Sequence, residues 1–211
     1  MEKSNICVIL TVPHAAGCAM KEYGHPCDTK GPRLAEIIAK TLHGYKIDVV
    51  GPLLGDIPRM IDYPYTDPNR AFSHGTQFRI DIKNWIIQKR YVEKKTVWIV
   101  DCHSFPTKDA FAVSEDTDFV LIDTPKNGFF SHYSSTLENM INNVPGNTEK
   151  EKIHAKLLSG PPVIRWGYNN DIIEESKKQG AKAFLLEVKE TVPDAKIETV
   201  AKVISSFILN Y

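Results

Sequence analysis

The chain has 211 residues, 42% of them apolar and 25% charged, enough to bury one sizeable core, so one domain spanning residues 1–211 is expected. Lys plus Arg total 26 and Asp plus Glu total 26, giving a net charge of 0 with histidine neutral. No global field therefore directs the chain to nucleic acid or to an anionic membrane, and partners have to be read from local sites.

The first element is the apolar run Ile6–Val12, which follows Glu2 and Lys3. It carries no cleavage-site pattern and is too short to span a bilayer, so a buried strand in a cytoplasmic protein is expected. Cys7, Cys18, Cys27 and Cys102 are expected to be reduced thiols, since an even count without secretory signals is weak evidence for disulfides, and the spacing of Cys18 and Cys27 matches no usual zinc knuckle. Leu34, Ile37, Ile38 and Leu42 then recur at helical spacing, within a helix expected from Arg33 to His43, and Ile47–Val50 reads as a second strand. From Gly51 to Gly75 the sequence is rich in Pro, Gly and Asp and fits neither period, which predicts a long functional loop.

Phe78, Ile82, Trp85 and Ile86 mark the next helix, and Thr96–Val100 has the β-branched and aromatic composition of a buried central strand. Phe119–Ile122 predicts another strand, and Phe130, Tyr133, Leu137 and Met140 give a helix face. Between Pro145 and Pro162 a short helix over Glu149–Leu158 is the expectation. A helix over Asp171–Lys178, ended by Gly180, precedes a strand over Ala183–Val188. Ile197, Val200, Ala201, Ile204 and Ile208 form the apolar stripe of a last helix. Strands and helices alternating in this way predict an α/β fold in which a mixed, mostly parallel sheet carries helices on both faces.

In such sheets ligands bind beyond the carboxyl ends of the strands, and four polar groups follow or adjoin apolar elements. They are Pro13-His14-Ala15-Ala16-Gly17, Asp67-Pro68-Asn69-Arg70, Asp101-Cys102-His103-Ser104 and Glu187. Two imidazoles with one carboxylate leave a tetrahedral zinc its fourth position for water, so His14 and His103 point to a catalytic zinc ion. Either histidine alone would more simply be a strand-end residue satisfied by a backbone carbonyl. Asp101 lies two residues from His103, on the same face of a strand, where it can hold the imidazole. Ser104 as a nucleophile is set aside, because no Gly-x-Ser-x-Gly elbow surrounds it and adjacent strand residues point apart.

These four segments, in this order, resemble the N-formylglutamate amidohydrolase family, itself similar to the zinc carboxypeptidases, and the resemblance runs from His14 to Glu187. It implies a zinc carboxypeptidase-like hydrolase fold, with His14 in Pro-His-x-x-Gly and His103 in Asp-x-His-Ser as the two zinc histidines. Carboxypeptidases place a glutamate three residues after the first histidine, where this chain has Gly17. The carboxylate ligand is then Asp28 or Glu22. Asp28 is preferred because it precedes the Arg33–His43 helix, and a helix N-cap is the alternative role for it.

The resemblance further implies that Asp67 accepts the second ring proton of the first zinc histidine, against an Asx turn at Asp67-Pro68. Asn69 and Arg70 correspond to the pair that grips a substrate carboxylate, a task suited to a planar guanidinium. Arg59 corresponds to an arginine that polarises the scissile carbonyl, against a solvent-facing loop residue, and Tyr168 lies where a substrate loop is found. Glu187 corresponds to the general base, its pKa raised by a hydrophobic wall, although a charge emerging at a strand end is a common sight. The implied activity is zinc-dependent hydrolysis of an N-acyl amino acid, N-formyl among them. A short peptide or peptidoglycan fragment is the alternative substrate, and a binding module that has lost its metal is the alternative class.

Overall fold

The computed structural model describes residues 5–13, 30–55, 77–105, 113–123, 129–146, 151–159 and 171–211. In chain order the elements are β1 (Ile6–Val12), α1 (Gly31–Gly44), β2 (Asp48–Leu54), α2 (Gln77–Ile87), β3 (Thr96–Phe105), β4 (Phe119–Asp123), α3 (Phe129–Asn142), β5 (Ala155–Ser159), α4 (Asp171–Lys178), β6 (Lys182–Lys189) and α5 (Asp194–Asn210). A π-turn, Gln88–Val92, continues α2. One six-stranded sheet runs in the order β2-β1-β3-β6-β4-β5. β1, β2, β3 and β6 are parallel, whereas β4 runs antiparallel to β6 and parallel to β5. This is the mixed, mostly parallel α/β sheet that the sequence predicts.

Side-chain alternation divides the core in two. Val8, Leu10, Trp98, Val100, Phe184 and Leu186 face a layer built from α1, α3 and α5. Ile9, Val97, Ile99, Ala183 and Leu185 face α2 and α4 through Phe78, Ile82, Ile86, Ile172 and Ile173. Helices thus cover both faces. Among the described residues no helix is long and apolar enough to cross a membrane. Cys7 and Cys102 are free, buried thiols. Burial pushes the Cys7 thiol up to about 12 and raises that of Cys102 as well. Cys18 and Cys27 lie outside the described residues.

Three boundaries differ from expectation. β2 does not stop at Val50 but runs to Leu54, because Leu53 and Leu54 regain pairing with Thr11 and Val12 after a register shift. The shift is made at Gly51, whose φ of +102° suits glycine and where a Cβ would lie 2.6 Å from the Leu10 carbonyl oxygen. β3 continues past Val100 to Phe105, so Asp101 and His103 lie within the strand. The helix expected over Glu149–Leu158 is replaced at its end by β5. The Asn142 amide donates to the Ala155 carbonyl at 3.0 Å, its oxygen accepts from the Ala155 N–H at 2.7 Å, and Glu138 accepts from the Leu157 N–H at 2.7 Å. These tertiary bonds, with pairing to β4, override local helical preference.

At the amino ends of the strands Asp48 collects two lysines. Lys89 Nζ lies 3.0 Å from Asp48 Oδ2, Lys95 bonds the same oxygen, and both lysines also reach Glu93, at 3.0 and 3.2 Å. Burial pushes the Asp48 carboxyl up, but the hydrogen bonds from Lys95 and Lys89 more than offset it, so its pKa falls below the ordinary 3.8. A carboxyl depressed in the folded state is ionised there at pH values where the unfolded chain binds the proton. Its stabilisation is therefore present above about pH 4 and lost as pH falls through the folded-state value. Asp48→Asn is expected to cost about 1 kcal/mol at pH 7 and to flatten the fall in stability below pH 4, as measured by urea unfolding across pH 2–7.

Candidate active site

The polar residues within the sheet gather at the carboxyl ends of β1, β3 and β6, on the face covered by α2 and α4. In the parallel registers Thr11 is opposite Asp101, Asp101 is opposite Leu185, and His103 is opposite Glu187. Neighbours in register share a face, as do residues two apart along a strand. Thr11, Asp101, His103 and Glu187 therefore form two successive rows across adjacent strands. All four are buried, Thr11 and Asp101 completely, with His103 at 3% and Glu187 at 4% exposure. Leu53 and Leu185 flank the Thr11–Asp101 row within the sheet.

A buried carboxylate requires partners. Thr11 Oγ1 donates to Asp101 Oδ1 at 2.5 Å, and His103 Nε2 lies 3.2 Å from Asp101 Oδ2. An ionised carboxylate only accepts hydrogen bonds. Where Asp101 is ionised, the bond to His103 is donated by Nε2–H. A carboxylate on one imidazole nitrogen is the arrangement that prepares the other for a metal ion. Glu187, in register beside His103, supplies a second carboxylate on the same face.

The chain around these strand ends is fixed by backbone contacts. Ser104, facing away from His103, accepts from the Lys30 N–H at 3.2 Å and donates to Glu190 at 3.3 Å, which ties the start of α1 to the ends of β3 and β6. These partners remove Ser104 further from a nucleophile's role. Lys30 occupies the N-cap position of α1 without a side-chain cap bond. The Gly55 N–H donates to the Val12 carbonyl at 2.9 Å. A Cβ there would stand 2.1 Å from the Pro13 carbonyl oxygen, so only glycine lets the chain after β2 lie against the end of β1, one residue before His14.

Of the residues singled out from the sequence, Asp101, His103 and Glu187 are brought together. His14, Glu22, Asp28, Arg59, Asp67, Asn69, Arg70 and Tyr168 lie outside the described residues. Among the described residues no three His, Cys, Asp or Glu side chains converge as a metal-ligand group, since the expected set draws only His103 from them. What is described fits such a centre in kind: a buried imidazole held at one nitrogen by a carboxylate, with a second carboxylate alongside. Thr11 was not foreseen. Its signal is a single hydroxyl in the otherwise apolar run Ile6–Val12.

No family's sequence model matches the chain, and no curated protein matches it in sequence. Solved structures do match in fold. The gene product Atu2144 from Agrobacterium tumefaciens aligns with a TM-score of 0.58 at 11% identity, over 96% of this chain and 89% of that one. The cell shape determinant Csd4 from Helicobacter pylori, described as a D,L-carboxypeptidase in its mDAP-bound form, aligns with a TM-score of 0.55 at 15% identity, over 99% of this chain. This chain spans only 51% of the Csd4 chain. At these identities the likeness is one of fold alone.

Proposed function

We propose that the protein is a metal-dependent amide hydrolase of the N-formylglutamate amidohydrolase kind, acting on an N-acyl amino acid. The observation that carries this reading is the placement of His103 and Glu187 side by side at the carboxyl ends of β3 and β6, with Asp101 holding the His103 ring. In this reading His103 presents Nδ1 to a zinc ion shared with His14 and Asp28. When bound, the ion supplies a water whose pKa is lowered toward about 7 and polarises the carbonyl to be cleaved.

The remaining roles fall to the chain. Glu187 takes the proton from the attacking water and returns it to the leaving amine. Arg70 and Asn69 hold the substrate carboxylate through parallel hydrogen bonds. Arg59 stabilises the developing oxyanion, Asp67 orients His14 as Asp101 orients His103, and Tyr168 lines the substrate loop.

A second reading keeps this chemistry and exchanges the substrate for a short peptide. It is favoured by the Csd4 structures, one described as mDAP-bound and another as tripeptide-bound, the latter aligning with a TM-score of 0.54 at 16% identity over 99% of this chain. The test is zinc analysis of the purified protein, followed by hydrolysis assays with N-formyl and other N-acyl amino acids beside a tripeptide ending in mDAP. Zinc at one equivalent and release of the free amino acid are expected. Release only from the tripeptide would transfer the protein to the second reading, and no metal uptake with no hydrolysis would overturn both.

A further inference from the structure

Between α2 and α4 lies a pocket of about 320 Å³, walled by Ile82 and Ile86 of the one helix and Ile172 of the other. Neither His103 nor Glu187 lines it, so it is separate from the polar strand ends. We propose that this pocket binds a free α-amino acid with an apolar side chain. The carboxylate meets Lys83 of α2, the ammonium meets Glu175 of α4, and the side chain packs on the isoleucines.

Helix α4 places a serine where its pattern calls for an apolar residue. Ile172, Ser176 and Gln179 follow one another at spacings of four and three, on one helix face, and Ser176 is 1% exposed. Elsewhere in the helices Thr41, Thr199 and Ser205 each donate to the carbonyl four residues earlier, at 2.8, 2.9 and 2.8 Å. Ser176 does not. Among the described residues its Oγ has no hydrogen-bond partner, and neither has Gln179 Oε1. Buried polar atoms without partners cost stability, and such a break in local pattern is expected where function requires it. Both residues line the pocket. A hydroxyl accepts as well as donates and an amide oxygen only accepts, so both suit an N–H donor, of which an ammonium has three. On binding, the two side chains turn about their torsions to meet it beside Glu175.

Charge sets the rest of the ligand. Lys83 and Glu175 line the same pocket from opposite helices, and among the described residues neither forms an ion pair. A ligand of one sign would answer only one of them, whereas a zwitterion answers both. Arg79, 6% exposed, adds a second positive charge on the α2 side, so the carboxylate belongs there. The volume stands at the small end of ligand pockets, about 300–1,000 Å³, which suits a single amino acid better than a peptide.

The probe is L-leucine, titrated into purified 15N-labelled protein and followed by amide NMR shifts. Saturable shifts with a millimolar dissociation constant are expected at Lys83, Ser176 and Gln179. Lys83→Gln and Glu175→Gln alter residues outside the buried core and should each weaken binding by about 2- to 5-fold. 4-Methylpentanoate lacks the ammonium and 3-methylbutylamine lacks the carboxylate; each should bind about 10-fold more weakly than leucine. Absence of saturable shifts at these three amides overturns the proposal. So do shifts confined to residues around His103, which would mark binding at the strand ends. Equal affinity for 4-methylpentanoate removes the zwitterion and the proposal with it, as do unchanged affinities in both variants. No metal takes part, so the outcome is independent of zinc content and of hydrolysis.

Discussion

Replacing Glu187 with Gln is expected to lower kcat for amide hydrolysis by about 10²- to 10⁴-fold while zinc content stays at the wild-type level. Glu187 is 4% exposed in β6 and in register with His103, so the isosteric amide keeps the packing and the strand pairing. What it lacks is an oxygen able to accept and return a proton. Because a buried carboxylate has a desolvation cost that an amide avoids in part, thermal stability should not fall in step with activity.

The measurement is steady-state hydrolysis of an N-formyl amino acid with metal analysis on the same samples. A kcat loss with KM and zinc unchanged identifies the proton acceptor. Loss of zinc together with activity would make Glu187 a ligand instead, and full activity would sink the role altogether. His103→Gln is the complement, since it should lose the metal first. Comparing the two variants separates binding of the ion from transfer of the proton.

How far the sequence made this legible depends on whether an element's local pattern agrees with its tertiary surroundings. β1 and α4 have the expected bounds, and those of β6 and α5 fall within three residues of expectation. In β3 the apolar run ends at Val100, broken by Asp101, His103 and Ser104. Those residues remain in the sheet because β1 and β6 pair with it on both sides and because the polar groups are partnered there. The polar end of that strand is the proposed site, which is where local rules are expected to give way to function.

The reversal of β4 had no sequence signal, since a short buried strand reads alike in either direction. Its antiparallel partner β6 comes more than 50 residues later in the chain. Within the site, Asp101 and His103 could be joined because their spacing of two is the period of a strand. Glu187 beside His103 and Thr11 beside Asp101 are matters of register between distant strands. A chemical resemblance pointed to the first. Nothing local to either strand specified the second.

Trp98→Ala is expected to remove about 3–5 kcal/mol of stability, the range for truncating a buried aromatic side chain. Small domains have only about 5–15 kcal/mol in total, so the variant should lie near the edge of folding. Trp98 is 1% exposed in the core layer shared with α1, α3 and α5. Its ring meets Phe207 of α5 edge-on at 5.5 Å and Phe184 of β6 at 6.3 Å. Phe207 in turn contacts Tyr211 at 4.7 Å, and Tyr211 contacts Tyr133 of α3 at 5.2 Å. Trp98 of β3 thus touches β6 and α5 directly, and the aromatic chain continues through Tyr211 to α3. The Lys182 ammonium stands 4.9 Å from the Trp98 ring centroid and 5.3 Å from that of Tyr133, which adds a cation–π attraction that alanine cannot supply.

Trp98→Phe is expected to cost less, about 1–2 kcal/mol, for two reasons. It retains a ring against Phe207, and it removes an indole Nε1 that has no hydrogen-bond partner in the core. Urea unfolding followed by far-UV circular dichroism measures both variants, since tryptophan fluorescence changes with the substitution itself. Equal losses for Ala and Phe would mean that the indole's size and edge contacts, rather than aromatic burial as such, hold the layers together. A loss below about 1 kcal/mol for Ala would mean that the helix layer closes over the gap, contrary to a core in which α5 is anchored through Phe207.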